Sequence, residues 1–206
     1  MKKGEKDGLK MAKKSERDTK GRIINAAWQL FYKQGYEATT IDEIVEASQT
    51  SKGSFYHYFD SKDMLLGTLS YMFDKKYEEL METLDPEMNS FDKLIYLNRE
   101  LFFMIETGIP MELLSRLLST QLVTPVEKHL LDRRRTYYRL LREITLEGQN
   151  RGQLRADIPV GDIVKAYALC ERALMYDWCL CNGEYSLSRY SGQMLPMFLR
   201  DFKCEK

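Results

Sequence analysis

Histidine, cysteine and proline are scarce in this chain of 206 residues, which has two, four and five of them. The two histidines, His57 and His129, are far apart, so neither has a partner at the spacing of a metal site or a catalytic triad. With no phosphate-binding loop either, we expect no catalytic residues, no metal and no cofactor. The cysteines all lie in the last fifth of the chain, unlike a small secreted disulfide framework, and we expect them to be reduced.

Long apolar runs are also missing. No run approaches the roughly 18 consecutive apolar residues of a membrane span, and residues 1–20 are lysine-rich without the apolar stretch of a secretory signal. These absences predict a cytoplasmic protein with no membrane contact. The 44% of hydrophobic residues suffice for a packed core, and 31 acidic residues balance 31 basic ones. Residues 1–22 nevertheless hold nine Lys or Arg against four Asp or Glu, a local excess that suits nucleic acid, a membrane surface or mere solubility.

All extended segments have helical rather than strand periodicity, which predicts an all-α fold. In the first segment, for example, Ile23, Ala26, Ala27, Leu30 and Phe31 form one apolar stripe before Gly35. Prolines separate the later segments, where helices start or have ended. We predict nine helices, at residues 16–34, 41–47, 51–58, 61–83, 90–107, 111–119, 124–151, 160–182 and 187–202.

Two short helices, 41–47 and 51–58, lie near the N-terminus, and most of the later helices are long, which indicates two domains. We predict a flexible basic arm over residues 1–20, a small N-terminal domain over 21–66 and a larger helical domain over 67–206. The predicted helix 61–83 would bridge the two domains.

Two short helices near the N-terminus form a predicted helix-turn-helix. The first begins with the capping box Thr40-x-x-Glu43, in which each side chain satisfies a free amide at the helix start. Ser51 can cap the second, whose first turn carries Lys52, Gly53 and Ser54. Small and hydrogen-bonding residues there allow close approach to base edges and phosphates in a major groove.

The next predicted helix has a lysine, Lys62, in its first turn, where the helix dipole is already positive. A DNA phosphate held by Lys62 and the phenol of Tyr56 would explain this placement, and a simply solvated lysine is the alternative.

The stretch from Arg22 to Leu66 resembles the DNA-binding domain of the TetR family of bacterial transcription regulators. The strongest part of the likeness is the run Ser51-Lys52-Gly53-Ser54-Phe55-Tyr56-His57-Tyr58-Phe59-Asp60-Ser61-Lys62-Asp63-Met64-Leu65. The family usually has a small residue at the position of Val45, a glycine at that of Gln49 and an aliphatic residue at that of Thr50. Gln49 would therefore have to adopt a left-handed backbone conformation.

The resemblance implies a nine-helix regulator, most often a repressor, that binds a palindromic double-stranded DNA operator as a homodimer. It implies that a small-molecule effector releases the operator, and that the last two helices form the dimer interface. The DNA contacts it implies are Thr40, Lys52, Gly53, Ser54, Tyr56, His57 and Lys62. By position among the middle helices, the effector pocket would include Phe103, Tyr137, Leu141, Glu171 and Trp178.

Other interpretations remain open at this stage. Glu171 lies in a mostly apolar run, which suits a ligand contact or a buried ion pair equally. The triplet Arg133-Arg134-Arg135 could bind nucleic acid, but consecutive helical residues diverge, which favours a solvated or interdomain face. A helical ligand-binding or interaction module without specific DNA binding is the alternative function. An enzyme is a third.

Overall fold

The computed structural model describes the backbone of residues 3–123 and 128–204, and the side chains of residues 18–123 and 128–204. This part of the chain is helical and contains no strand beyond one isolated bridge between Leu154 and Lys203. It divides into two compact units, residues 1–68 and 69–206. None of its helices combines the length and the apolar character of a membrane span.

The first unit contains four helices: α1 (Lys3–Gln34), α2 (Ile41–Ala47), α3 (Lys52–Tyr58) and α4 (Lys62–Leu66). Helix α1 begins well before the predicted residue 16 and overlaps the predicted arm 1–20, whose first 17 side chains lie outside the described part. The unit's core is aromatic and aliphatic, with Phe31, Ile44 and Phe55 almost fully buried. Burial of this apolar surface is its main source of stability.

The helices described in the second unit are α5 (Leu69–Thr83), α6 (Ser90–Gly108), α7 (Met111–Val123), α8 (Thr136–Asn150), α9 (Val160–Leu180) and α10 (Leu187–Phe198). Short 3-10 turns cover His129–Leu131 and Arg200–Phe202. Helix α6 packs against α5, α8 and α10, and α9 packs against α7, α8 and α10. The core of this unit includes the fully buried Tyr77, Phe102 and Tyr167.

The predicted all-α fold is confirmed, and the described residues form nine helices when α4 and α5 are counted as one interrupted helix. The prediction of a continuous helix over 61–83 was wrong at Gly67 and Thr68. There the amides bond to carbonyls three residues back, and the Thr68 hydroxyl donates to the carbonyl of Leu65. The same hydroxyl accepts the indole N–H of Trp28 at 2.8 Å, which stabilises the interruption.

The predicted helix 124–151 was also wrong at its start, because α8 begins only at Thr136 and α7 extends to Val123. Asp132 explains the late start. Its carboxylate accepts the backbone N–H of Arg134 at 3.0 Å, a local bond that competes with helix formation. The arginine triplet 133–135 therefore lies in a turn before α8 and not on a helix.

Candidate functional site

Helices α2 and α3 form the helix-turn-helix. The Thr40 side chain caps α2 by accepting the N–H of Glu43, and the Glu43 carboxylate accepts the N–H of Thr40 at 2.8 Å. The Ser51 side chain caps α3 by accepting the N–H of Ser54 at 3.0 Å. Both caps satisfy amides that a helix start leaves without a partner.

The turn between the two helices contains the left-handed residue predicted from the sequence, since Gln49 has a φ of 52°. The N–H of Thr50 bonds to the carbonyl of Val45, and that of Gln49 to the carbonyl of Glu46. These two bonds are those of a Schellman helix end, which most often has glycine at the left-handed position. Arg22 also donates to the carbonyls of Ser48 and Gln49, at 3.2 and 3.3 Å, and so connects α1 to the turn.

Helix α3 has one buried face and one exposed face. Phe55, and Phe59 just after the helix, are 0% and 3% exposed, and they fix the helix on the unit's core. The opposite face presents Lys52, Gly53, Tyr56 and His57 to solvent, with Ser54 half-buried. A polar and aromatic surface on a firmly anchored short helix has the form of a major-groove reader.

Gly53 has no evident packing role in α3. A Cβ atom built there would have only the Ser51 hydroxyl within 4 Å, at 3.8 Å, and the glycine lies inside a helix, where it costs about 1 kcal/mol relative to alanine. The absence of a side chain therefore leaves free space on the outer face, where another molecule can approach the backbone closely.

Both lysines among the predicted DNA contacts are engaged within the unit. The Lys52 ammonium lies 2.7 Å from the Asp42 carboxylate, and this hydrogen bond raises the pKa of Lys52. Both groups are more than half exposed, so the pair is weak and open to exchange with a phosphate.

Lys62 is held more firmly. Its ammonium donates to the carbonyls of Tyr36 and Thr39, each at 2.7 Å, and lies 4.2 Å from the centre of the Tyr36 ring. Tyr36 in turn donates its hydroxyl to Asp63. Lys62 thus stabilises the loop that leads into α2. The sequence had suggested either a phosphate contact or a solvated lysine, and neither interpretation included these bonds.

In the second unit, a buried carboxylate adjoins a small cavity. Glu171 is 3% exposed and accepts hydrogen bonds from the hydroxyls of Tyr77 and Tyr137 and the amide of Asn98, at 3.2, 2.6 and 2.9 Å. Burial raises the pKa of Glu171, and these hydrogen bonds oppose the rise. Burial and the nearby carboxylate hold the pKa values of both tyrosines well above 10.

The cavity is lined by Phe73, Tyr77, Leu101, Leu130, Arg135, Tyr137, Glu171, Arg172 and Met175. The space open to the centre of a water molecule is about 30 Å³, enough for one or two waters. Arg135 is bound at its edge, with nitrogens 2.9 and 3.0 Å from the Asp74 carboxylate. Any larger ligand must widen this space.

The structure brings together only two of the five residues predicted for the pocket, Tyr137 and Glu171. Phe103 is 54% exposed, Leu141 is buried outside the lining, and Trp178 donates its indole N–H to the carbonyl of Tyr185. Sequence reasoning missed Tyr77 and Asn98. Asn98 could have been recognised, because it is a polar residue on the apolar stripe of Leu94, Leu97 and Leu101.

The described residues contain no group of three or more His, Cys, Asp or Glu side chains placed to hold a metal ion. The four cysteines are all free and half-buried. Burial raises the pKa values of Cys170 and Cys179, which disfavours the reactive thiolate form.

Residues 23–77 match the family model described as bacterial regulatory proteins, tetR family. The regulator QacR of Staphylococcus aureus is 32% identical over 93 residues, which are 45% of this chain and 50% of that protein. An uncharacterised helix-turn-helix regulator of Lactococcus lactis is 52% identical over 46 residues, 22% and 24% of the two chains. The sequence matches thus span half or less of these curated relatives.

The fold likeness extends further than the sequence likeness. The FadR regulator of Thermus thermophilus, solved with lauroyl-CoA, superposes with a TM-score of 0.69 at 21% identity, over 90% of this chain and 96% of that one. The FadR regulator of Bacillus subtilis, solved with stearoyl-CoA, gives 0.68 at 18% identity over 87% and 97%. Residues 23–77 thus share the sequence of the tetR family of bacterial regulatory proteins, and the chain shares the fold of these two FadR regulators.

Proposed function

We propose that this protein is a ligand-responsive transcriptional repressor that binds a palindromic operator as a homodimer. The observation that carries the proposal is the exposed outer face of α3, whose opposite face is anchored by Phe55 and Phe59. In this proposal Lys52, Gly53, Ser54, Tyr56 and His57 contact the major groove. Thr40 contacts the backbone from the start of α2, where its side chain is exposed.

Lys62 enters the proposal in a modified role. Because its ammonium donates to the carbonyls of Tyr36 and Thr39, it fixes the loop that presents Thr40. A direct phosphate contact by Lys62 stays a prediction and requires the lysine to share its hydrogen bonds with the DNA.

Apolar side chains on the last two helices support a homodimer. On α9, Leu169, Tyr176 and Leu180 are 47–66% exposed, and on α10, Met197 and Phe198 are 57–69% exposed. Apolar exposure of this extent is usually covered by a partner. In a dimer, the two recognition helices must lie about 34–36 Å apart to enter successive major grooves.

In this proposal, binding of a small-molecule effector releases the protein from its operator. A ligand that binds the second unit in one conformation and not in another weakens operator binding by linkage. The Glu171 cavity supports such a site, because it joins a buried ionisable group to apolar walls. The acyl-CoA ligands of the two FadR neighbours make a small-molecule effector the natural class to test.

Selection of bound fragments from genomic DNA tests the proposal. The purified protein should enrich a palindromic site, and affinity should fall steeply with salt because phosphate contacts release counterions. The double variant K52A/Y56A should lose this enrichment. The matched control is Y71A/K75A, which removes an exposed tyrosine and lysine with the same spacing from α5.

The alternative, a helical module without specific DNA binding, makes the opposite forecast. It expects no enriched site with wild type, both as purified and after unfolding and refolding to remove a copurified ligand. It also expects no difference between K52A/Y56A and the control. Enrichment that survives K52A/Y56A would show that α3 is not the recognition helix.

A further inference from the structure

A second depression in the larger unit, here called the basic groove, lies between the first half of α9 and the segment 131–142. It is lined by Leu131, Arg133, Tyr138, Arg142, Gly161, Val164, Lys165, Ala168 and Arg172. Its volume is about 260 Å³, close to the lower end of small-molecule sites at about 300 Å³. Val164, Ala168 and Tyr138 are buried and give the groove an apolar floor.

The charge of the basic groove is of one sign. Arg133, Arg142, Lys165 and Arg172 line it, and no carboxylate among the described residues does. Within the described residues, none of the four has an acidic group within salt-bridge distance. Four like charges around one depression repel each other, and a bound anion would relieve that repulsion.

The neighbouring arginines, Arg134 and Arg135, do have carboxylate partners. Arg134 forms a double hydrogen bond with Asp132, at 2.9 and 3.0 Å, and Arg135 forms one with Asp74. Of the triplet, Arg133 alone lines the basic groove, and it has no carboxylate partner in the part of the chain that the structure describes. The three side chains thus have separate tasks, which their adjacency in sequence did not reveal.

The remaining hydrogen bonds of the groove leave donors available. Arg142 gives one N–H to the carbonyl of Arg133 at 3.2 Å, and Arg172 gives one to the hydroxyl of Tyr138 at 3.4 Å. A guanidinium has five N–H donors, so both arginines can also bind a planar or tetrahedral anion in a forked geometry.

We propose that the basic groove binds the anionic group, a phosphate or carboxylate, of an amphipathic small molecule whose apolar part lies on the Val164 and Ala168 floor. Arg172 lines both the groove and the Glu171 cavity, so an anion held there acts directly on a cavity residue. The claim that this molecule is the effector rests on the proposed function. The claim that the basic groove binds an amphipathic anion does not depend on that function.

A cationic ligand is disfavoured by the same contacts. Glu171 is the acidic group of the neighbouring cavity, and it is already satisfied by two tyrosine hydroxyls and the Asn98 amide. The space beside it is about 30 Å³, whereas the basic groove measures about 260 Å³ and is lined by four positive charges.

Calorimetric titration of the full chain with three probes tests the proposal. Octyl phosphate combines an anion with an apolar tail and should bind, inorganic pyrophosphate should bind more weakly, and octyl glucoside, with the same tail and no charge, should show no binding. The variant R142Q/K165Q changes two exposed side chains and should weaken octyl phosphate binding at least about tenfold, since each lost charge-assisted hydrogen bond is strong. R139Q, an exposed arginine of α8 outside the groove, should leave binding unchanged.

Three results would overturn the proposal. The first is equal octyl phosphate affinity for wild type and R142Q/K165Q, and the second is equal binding of octyl phosphate and octyl glucoside. The third is dissociation of R142Q/K165Q in sedimentation, because the groove would then hold acidic residues of a second copy.

Genomic selection separates this proposal from the proposed function: groove-dependent octyl phosphate binding without an enriched DNA site supports the groove alone. An enriched site without groove-dependent binding supports the regulator alone.

Discussion

Gln49 illustrates how a single residue in this fold carries backbone strain. Its φ of 52° lies in the left-handed region, which costs a non-glycine residue roughly 1–2 kcal/mol. Its side chain is exposed, so little packing is lost when it is removed. The sequence predicted this conformation, because the TetR family usually has glycine at this position.

The variant Q49G should therefore raise the free energy of unfolding by about 0.5–1 kcal/mol, because part of the relief is offset by the greater freedom of glycine in the unfolded chain. Urea unfolding followed by circular dichroism measures the change. Q49A is the control and should give no gain, since alanine has the same left-handed penalty. A Q49G midpoint at or below that of Q49A would show that the turn is not strained.

The raised pKa of Glu171 leads to a prediction about how stability depends on pH. Because the folded chain holds this proton more tightly than the unfolded chain, the carboxyl adds stability at low pH. That contribution is lost as the pH rises above the ordinary value of 4.5. Glutamine stays neutral, and its amide can donate to Asn98 Oδ1, which has no partner in the described part of the chain.

E171Q should consequently gain stability relative to wild type as the pH rises from about 4.5 to 8. Thermal unfolding across this range measures the difference in Tm. The control is E143Q, which removes an exposed carboxylate from α8 and should change the pH profile little. Parallel Tm profiles for wild type and E171Q would show that the Glu171 pKa is the same in the folded and unfolded chains.

At the scale of the element, the start of α3 couples helix stability to recognition. Replacing Ser51 by alanine removes the bond to the Ser54 N–H and should cost about 1 kcal/mol of stability. Aspartate restores the cap but places a negative charge beside Lys52, at the proposed phosphate surface.

We therefore expect S51A to lower both stability and operator affinity, and S51D to lower affinity while keeping stability. Thermal unfolding and gel-shift titration on the selected DNA site measure the two quantities. S51T retains a capping hydroxyl and should be close to wild type in both. Wild-type affinity of S51D would place the start of α3 away from the DNA backbone.

The predictability of each element depended on how local its determinants are. The capping box of α2 and the Ser51 cap of α3 lie within four residues, and both helices were predicted to within one residue. The interruption at Thr68 depends on Trp28, which is 40 residues away. The late start of α8 depends on the Asp132 turn, which is local but is a side-chain-to-backbone bond and not a periodic pattern. Periodicity alone contains neither of these contacts.

The candidate sites divide in the same way. The outer face of α3 follows from helical geometry, so its residues could be chosen from the sequence. The carboxylate cage of Glu171 joins Tyr77, Asn98 and Tyr137 from three helices, and helical periodicity does not specify which faces meet. Tyr137 and Glu171 were identified, Asn98 could have been recognised as a polar residue on an apolar stripe, and Tyr77 required the packed structure.

At the scale of the whole molecule, the proposed dimer makes the last prediction. Two glutamates in the variant L180E/F198E would place charges on the exposed apolar surface of α9 and α10, where a partner would have to bury them at a high cost. Sedimentation velocity should show a monomer. The affinity for the operator should also fall, because a monomer has one recognition helix and contacts only half of a palindrome. Helix content should be retained, since Leu180 and Phe198 are 66% and 57% exposed.

The matched control is F103E/L146E, which introduces the same charges at side chains of α6 and α8 that are 54% and 51% exposed. This variant should remain a dimer and bind the operator like wild type. A dimeric L180E/F198E would exclude the last two helices as the interface. Loss of the dimer in F103E/L146E would instead place the contact on α6 and α8, and the separation of the two recognition helices would then depend on that surface.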